Sequence, residues 1–346
     1  MSPSTAAARR KCRLDEHWPS GTVCAVASVM TVIMSFSSAP DTFTLGRVAG
    51  ALAVDESFVE KDWYVVQAIS ALIDLATPDI TPVFSGGTSL LKGHQLIKRF
   101  SEDIDFKLSL STNFLAKSGG QKKSALSVFK KSLEAGWEAA GFSVASVEAG
   151  SGNAFIKIEM GYPTVLEGHD ALRPHILAEL SAKPPRLPTI GRPLSSFIAQ
   201  YRRADPEIPL IQCVDPVETA ADKLSAFAWR AIVRDRSSDK DDPTIVRHLH
   251  DLAMLEPTIG ASSNFAALLT ETLVADSGRG GGGVASLPPA ERLSTMLAIL
   301  DADEHYEAEY TRFVEGMAFA GDAEIPNFRM ATEAVRRLSA AVGQGT

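Results

Sequence analysis

From Ser57 onward the apolar positions Val59, Trp63, Val66, Ile69 and Ile73 recur at helical spacing, and Ser57 with Glu60 three residues on reads as a capping box. Pro82 then opens a short apolar run, "VFS", that stops at Gly86-Gly87, the pattern of a buried strand feeding a tight turn. Thr88 is placed to cap a following helix whose apolar face is Leu90, Leu91 and Ile97. "DIDFKLSL" alternates and predicts a strand. "NFLAKSGGQKKS" reads as a loop, Ser124 to Ala140 as a helix, and "FSVASVE", "AFIKIEM" and "HILAELS" as three further strands.

The proline-rich stretch "AKPPRLPTIGRP" has the composition of a connector, and beyond it the pattern turns helical. "DPVETAADKLSAFAWRAIVR" starts with Asp215 as cap, Pro216 in the first turn and Glu218 as reciprocal partner. "DDPTIVRHLHDLAML" repeats the Asp-Pro opening at Asp242-Pro243. "GRGGGGVAS" reads as a flexible loop, and helices near Arg292 and Val335 close the chain. These elements predict an α+β lobe over 41–192 and a mainly helical lobe over 193–346.

Residues 1–40 stand apart. "ARRKCR" followed by "VCAVASVMTVIM" has a basic start and an apolar run, but Asp15, Glu16 and His17 interrupt it. The run is far short of the roughly 20 residues that a membrane span needs. The segment reads as an extension, disordered or outside the native protein, with Met34 as an alternative start. A cytoplasmic protein without membrane attachment is expected.

The 346 residues carry a formal charge of −8, so the surface as a whole does not attract nucleic acid and a polyanionic substrate needs a local basic patch. Cys12, Cys24 and Cys213 show no metal-ligand spacing and read as reduced thiols.

The candidate chemistry lies between Gly86 and Phe106. Alternation on a strand points Asp103 and Asp105 the same way, with Ile104 and Phe106 packed behind them. Two carboxylates on one face repel unless a cation lies between them, and hard oxygen ligands suit Mg²⁺, which takes one or two carboxylates plus waters and phosphates. Gly86 and Gly87 let the backbone approach a ligand closely, and unpaired N–H groups at a helix start face an anion. The bland alternatives are a solvated Asp pair and a plain turn. The order strand, Gly-Gly-Thr-Ser, helix, Asp-x-Asp favours metal-assisted phosphoryl or nucleotidyl transfer.

"FSGGTSLLKGHQLIKRFSEDIDF" resembles the signature of the AbiEii/AbiGii nucleotidyl transferase toxins, within the polymerase-β-like nucleotidyltransferase superfamily. The resemblance extends in order through "FVEKDWYVVQAIS", "LRPHILAELSAKPP", "DPVETAADKLSAFAWR", "RHLHDLAML" and "HYEAEYTRFVEGM", from about residue 45 to the C-terminus. It implies a polymerase-β-like lobe with a mixed sheet, followed by a helical lobe. It implies a phosphate cradle at Gly86, Gly87, Thr88 and Ser89, with Thr88 in place of the family's serine. Lys92 and Arg99, on the helix leading into Asp103, would add nucleotide contacts. Asp103 and Asp105 match the metal-binding pair, Glu179 is the expected third carboxylate and Glu159 its rival. Lys223 matches the family lysine, expected to neutralise charge on the leaving phosphates, and Asp251 the late aspartate, expected to orient that lysine or the nucleotide. Both should face the Gly86–Thr88 turn across a cleft between the lobes.

The activity implied is that of a Mg²⁺-dependent toxin of a toxin–antitoxin or abortive-infection (phage-defence) system, moving a nucleotide from an NTP to an RNA acceptor, with tRNA the acceptor suggested. A cognate antitoxin encoded nearby is the expected partner. The competing readings are a small-molecule (antibiotic-type) nucleotidyltransferase and a nucleotide-binding module without turnover. For an RNA backbone the candidate basic track is Lys117, Lys122, Lys123, Lys130 and Lys131, with Lys92, Lys98, Arg99, Arg202 and Arg203 extending it. His248 and His250, at i and i+2 on a helix, face apart and make poor joint metal ligands. Phe227 and Trp229 read as core.

Overall fold

A computed structural model describes residues 36, 39–169, 171–279, 282–319 and 324–343. The expected extension over residues 1–40, Met34 included, lies outside the described residues except for 36, 39 and 40. The described residues fall in one compact unit rather than two.

Helix α1 (Thr42–Leu52) leads into α2 (Glu56–Ile73), which supplies much of the core through Val59, Val66, Ile69 and Leu72. Asp55, not Ser57, caps α2: its Oδ1 accepts from Ser57 N at 2.8 Å. Glu60 turns away from the cap and accepts from Val165 N at 2.8 Å and Thr164 Oγ1 at 2.6 Å.

Strand β1 (Ile80–Ser85) starts two residues before Pro82 and stops directly before Gly86. The helix expected from Thr88 is only a stub. α3 (Gly86–Thr88) runs straight into a π turn (Ser89–Gly93), and Ile97, Lys98 and Arg99 lie beyond it in non-helical chain. β2 (Ile104–Leu110) follows. The expected loop after β2 holds α4 (Thr112–Leu115) and the start of α5 (Gly119–Ala139), because Ser118 and Gln121 form a capping box that overrides the two glycines. Trp137 of α5 is fully buried and its Nε1 donates to Ala68 O at 2.9 Å, fixing α5 against α2.

β3 (Ser143–Gly150), β4 (Phe155–Gly161) and β5 (Ile176–Ser181) match the three expected strands. The proline-rich connector ends in a strand, β6 (Ile190–Leu194), followed by α6 (Phe197–Arg202) and β7 (Ile208–Cys213). Among the described residues, seven strands form one mixed sheet in the order β3-β4-β5-β2-β1-β7-β6. The sheet therefore runs past residue 192. Pro193 fits because β6 is an edge strand and its register shifts between Arg192 and Leu194, where a missing N–H costs nothing.

Helices follow: α7 (Pro216–Val233), α8 (Arg247–Gly260), α9 (Phe265–Asp276), α10 (Pro289–Ala302), α11 (His305–Met317) and α12 (Phe328–Ala340). Asp215 caps α7 as expected, but Glu218 reaches sideways to accept from the backbone of Arg186 and Leu187. Residues 280–281, at the centre of the expected glycine loop, lie outside the described residues, between short 3-10 turns at Ser277–Arg279 and Gly282–Ser286. The strand-like stretch around Arg99 pairs antiparallel with Ala318: Phe100 N donates to Met317 O at 2.7 Å, and Phe319 N to Lys98 O at 3.1 Å. No described helix is long and apolar enough to cross a membrane.

Candidate active site

Alternation along β2 buries Ile104, Phe106 and Leu108 on one face and turns Asp105 and Lys107 to the other. Two registers then fix what stands beside Asp105. Parallel pairing with β5 places Glu179 opposite it, and antiparallel pairing with β1 places Ser85 on its other side. Directly after Ser85 the chain turns through Gly86 at φ +74°, and a β-carbon there would lie 1.9 Å from Asp105 Oδ2. Glycine is needed twice over at this position, for its dihedral and for its missing side chain.

Asp103 precedes β2. Its carbonyl accepts a short hydrogen bond from Thr88 Oγ1, which also lies 3.0 Å from Ser101 Oγ. Its carboxylate accepts from Arg173 Nη1. Arg173 is held in turn from behind: its backbone N–H donates to Glu102 at 3.1 Å and its carbonyl accepts from Lys61 Nζ at 2.6 Å.

The electrostatics follow from this crowding. Burial, then the Asp103 and Glu179 carboxylates, push Asp105 up to about 7. Burial and Asp103 raise Glu179 likewise. A divalent cation relieves such repulsion, so the donor set fits Mg²⁺ with Asp103 and Asp105 as ligands and Glu179 beside them. Among the described residues, however, no three His, Cys, Asp or Glu side chains stand gathered closely enough to hold a metal ion. Asp103 instead faces Arg173. Glu159 lies on β4 with its carboxylate 3.2 Å from Lys157 Nζ and does not line the cleft that Glu179 lines. Of the two rivals, Glu179 is the one beside Asp105.

The opposite wall is α7. Lys223 lines the cleft, and its Nζ lies 2.7 Å from Asp251 Oδ2. Arg99 grips the same carboxylate with two hydrogen bonds of 2.7 Å, and His250 Nδ1 stands 3.2 Å from Oδ1. Burial disfavours the charge on Asp251, but Arg99 and Lys223 outweigh it and hold the group well below the usual carboxylate range. Burial lowers Lys223, with Asp251 opposing. Asp251 is fully buried and does not reach the cleft. It pairs with Lys223 and Arg99 from within the wall, and its expected place facing the Gly86–Thr88 turn across the cleft is corrected accordingly.

The cleft between these walls has a volume of about 1260 Å³. Ser85, Gly86, Gly87, Arg99, Asp103, Asp105, Glu179 and Lys223 line it. Thr88 and Ser89 do not: both are buried, Thr88 bracing Asp103 and Ser89 Oγ lying 3.3 Å from Phe84 O. Lys92 is also misplaced by the sequence reading. It is buried in an ion pair with Asp62, over the Phe197 ring at 4.4 Å, away from the cleft.

The basic track is corrected as well. None of Lys117, Lys122, Lys123, Lys130, Lys131, Lys98, Arg202 or Arg203 lines the cleft. Lys117 pairs with Asp79 at 2.6 Å, and Lys98 with Glu324. The cleft draws its positive charge instead from Arg173, Lys183, Arg186, Arg230, Arg247 and Arg312, together with Lys107. Lys107 and Arg186 are tied to Glu218 and Asp222 on α7. These arginines come from loops and from three separate helices, so no charge run in the sequence marks them.

No curated protein matches the chain significantly. Among solved structures it is similar to MenT4, a nucleotidyltransferase toxin from Mycobacterium tuberculosis, at 17% identity and a TM-score of 0.44, covering 86% of this chain and 98% of that one. The model of the AbiEii nucleotidyl transferase toxin family, type IV toxin–antitoxin system, matches residues 68–334, a span that holds both walls of the cleft. The chain belongs to the AbiEii family of nucleotidyl transferase toxins.

Proposed function

We propose that this nucleotidyltransferase moves a nucleotide from an NTP to a hydroxyl of an RNA acceptor, tRNA being the first candidate, in a Mg²⁺-dependent reaction. It would do so as the toxin of a pair whose antitoxin is encoded nearby, in the setting of abortive infection or phage defence. The observation that carries the reading is the contact of Gly86 with Asp105 in a cleft that also holds Asp103, Glu179 and Lys223.

The acceptor hydroxyl attacks the α-phosphate in line and pyrophosphate leaves. Mg²⁺ held by Asp103 and Asp105 would reduce the negative charge that opposes attack. Arg173 pairs with Asp103 and lines the cleft, where a triphosphate could take it over. Gly86 and Gly87 leave bare backbone for the phosphates to approach. Lys223, oriented by Asp251, neutralises charge that grows on the leaving phosphates. The arginine-rich lining supports a polyanionic acceptor on a chain of net charge −8.

The test is incubation with each labelled NTP, Mg²⁺ and total RNA. Labelled RNA that disappears with Asp103→Ala and Asp105→Ala is expected. Label confined to a small molecule would replace the RNA acceptor, and no product with any NTP would overturn the reading.

A further inference from the structure

His248 stands second in α8, lines the cleft, and is only 8% exposed. Neither ring nitrogen has a hydrogen-bond partner. Buried polar groups nearly always have one, and a buried group left without a partner inside a substrate cleft points to a ligand that supplies it. His250, two residues on, differs on both counts: its Nδ1 faces Asp251, and it does not line the cleft.

The surroundings define what such a ligand must offer. Burial, then the cations Lys223, Arg247 and Arg230, hold the imidazole neutral, while Asp251 opposes them only in part. Lys223 and Arg247 also act on Asp105, and His248 lines the same cleft as the carboxylates. The Phe227 ring, 6.3 Å from it between centroids, walls one side. A neutral imidazole presents one donor and one acceptor. The two nitrogens point to different sides of the ring, so each needs its own partner, and the unprotonated one needs a donor. A phosphate oxygen can only accept, and Lys223 and Arg247 already suit phosphates, whereas a neutral group that both donates and accepts can serve either nitrogen. On a nucleotide, such groups are the sugar hydroxyls and the amide or amino edge of the base.

We propose that His248 is a nucleotide-binding residue that recognises the nucleoside part of the substrate, by its sugar hydroxyl or its base edge, and not its phosphates. The proposal rests on the nucleotidyl-transfer reading and deepens it. Arg247 and Lys223 grip charge, and His248 beside them selects the neutral part of the same molecule.

The experiment measures equilibrium binding of ATP, CTP, GTP and UTP, and of the 2′-deoxy and 3′-deoxy forms of the best of them. It compares the wild type with His248→Leu, His248→Asn and His248→Gln, and records thermal unfolding of each protein without nucleotide. His248→Leu should bind the best NTP about tenfold more weakly, about 1.4 kcal/mol. It should nevertheless unfold at the same or a higher temperature, because two buried unpaired nitrogens are gone. The Asn and Gln amides keep a donor and an acceptor, and one of them should recover part of the affinity. If the sugar is the ligand, the wild type penalises a deoxy form and His248→Leu does not. If the base is the ligand, the preference among the four NTPs shrinks in His248→Leu.

Wild-type affinity in His248→Leu would overturn the proposal, as would a loss of binding that only tracks a loss of thermal stability. A wild-type protein that binds none of the four NTPs would instead overturn the nucleotidyl-transfer reading itself, and this inference with it.

Discussion

Gly86 and Asp105 touch: a β-carbon on residue 86 would stand 1.9 Å from the Asp105 carboxylate oxygen, less than any two such atoms can approach. The turn and the carboxylate are thus one device. Gly86→Ala must either displace Asp105 or flatten the turn from its positive φ. Backbone strain of this kind costs about 1–3 kcal/mol, and an ångström of misplacement at a reacting centre costs about a hundredfold in rate. The variant should fold with reduced stability and lose at least that much transfer activity. Steady-state transfer and urea unfolding check both halves, and an active Gly86→Ala enzyme would separate the turn from the chemistry.

Asp251 holds two cations at once, Arg99 and Lys223, in the buried wall of the cleft. Removing a partner from a buried ion pair costs about 3–5 kcal/mol, because the remaining charge stays buried alone. Asp251→Ala should therefore destabilise the protein by about that amount and also abolish transfer. Lys223→Met keeps the Arg99–Asp251 pair, so it should cost less stability while losing as much activity. Chemical denaturation of the two variants side by side distinguishes positioning from contact with the substrate.

Metal-free protein should lose stability as pH rises through the range in which Asp105 titrates. The group's ordinary value of 3.8 is raised to about 7 in the fold. Between these values the folded protein keeps a proton that the unfolded chain has released, so stability falls with pH across that window, by up to ~1.4 kcal/mol per pH unit. Asp105→Asn removes the share of the dependence that Asp105 carries, and its advantage over the wild type should grow from pH 4 to pH 7 and then level off. Added Mg²⁺ should stabilise the wild type more at pH 8 than at pH 5.5 and Asp105→Asn little at either. Unfolding midpoints in chelator, with and without Mg²⁺, decide this; a pH-independent difference between the two proteins would contradict it.

The positive charge around the cleft predicts which substitutions govern RNA. Lys183 and Arg312 line it, whereas Lys122, Lys123, Lys130 and Lys131 ride on α5 away from it. Changing the four α5 lysines to alanine should leave transfer to RNA and its salt dependence unaltered. Lys183→Ala and Arg312→Ala should each weaken RNA binding and reduce the slope of log affinity against log salt by about 1. A salt series on the three proteins is the measurement.

Much of the site was legible because its parts are close in sequence. The Gly-Gly turn and the Asp-x-Asp strand are joined by a short segment, and alternation alone places Asp105 on the face opposite Phe106. Glu179 was legible as a strand carboxylate, but only the β2–β5 register sets it beside Asp105 and leaves Glu159 beside Lys157. Lys92 misled because a basic residue near a cradle has the same pattern whether it faces phosphate or a buried aspartate such as Asp62. The strand at the end of the proline-rich stretch was not legible, because Pro193 suits a connector as well as an edge strand such as β6. Arg173, Arg186 and Arg312 meet only through tertiary packing. His248 was passed over because its want of partners is a property of its surroundings.

The pairing of Lys98–Phe100 with Met317–Phe319 has a consequence for synthesis. The guanidinium that pairs with Asp251 sits on a segment whose backbone partner, Met317–Phe319, is made after both walls of the cleft. A growing chain that has already emitted the Gly86 turn, Asp103 and Asp105 still lacks the Phe313 ring 5.5 Å from Arg99 and the backbone that braces it. Arg99 is thus braced only after residue 319 has been made, well after the carboxylates of the site.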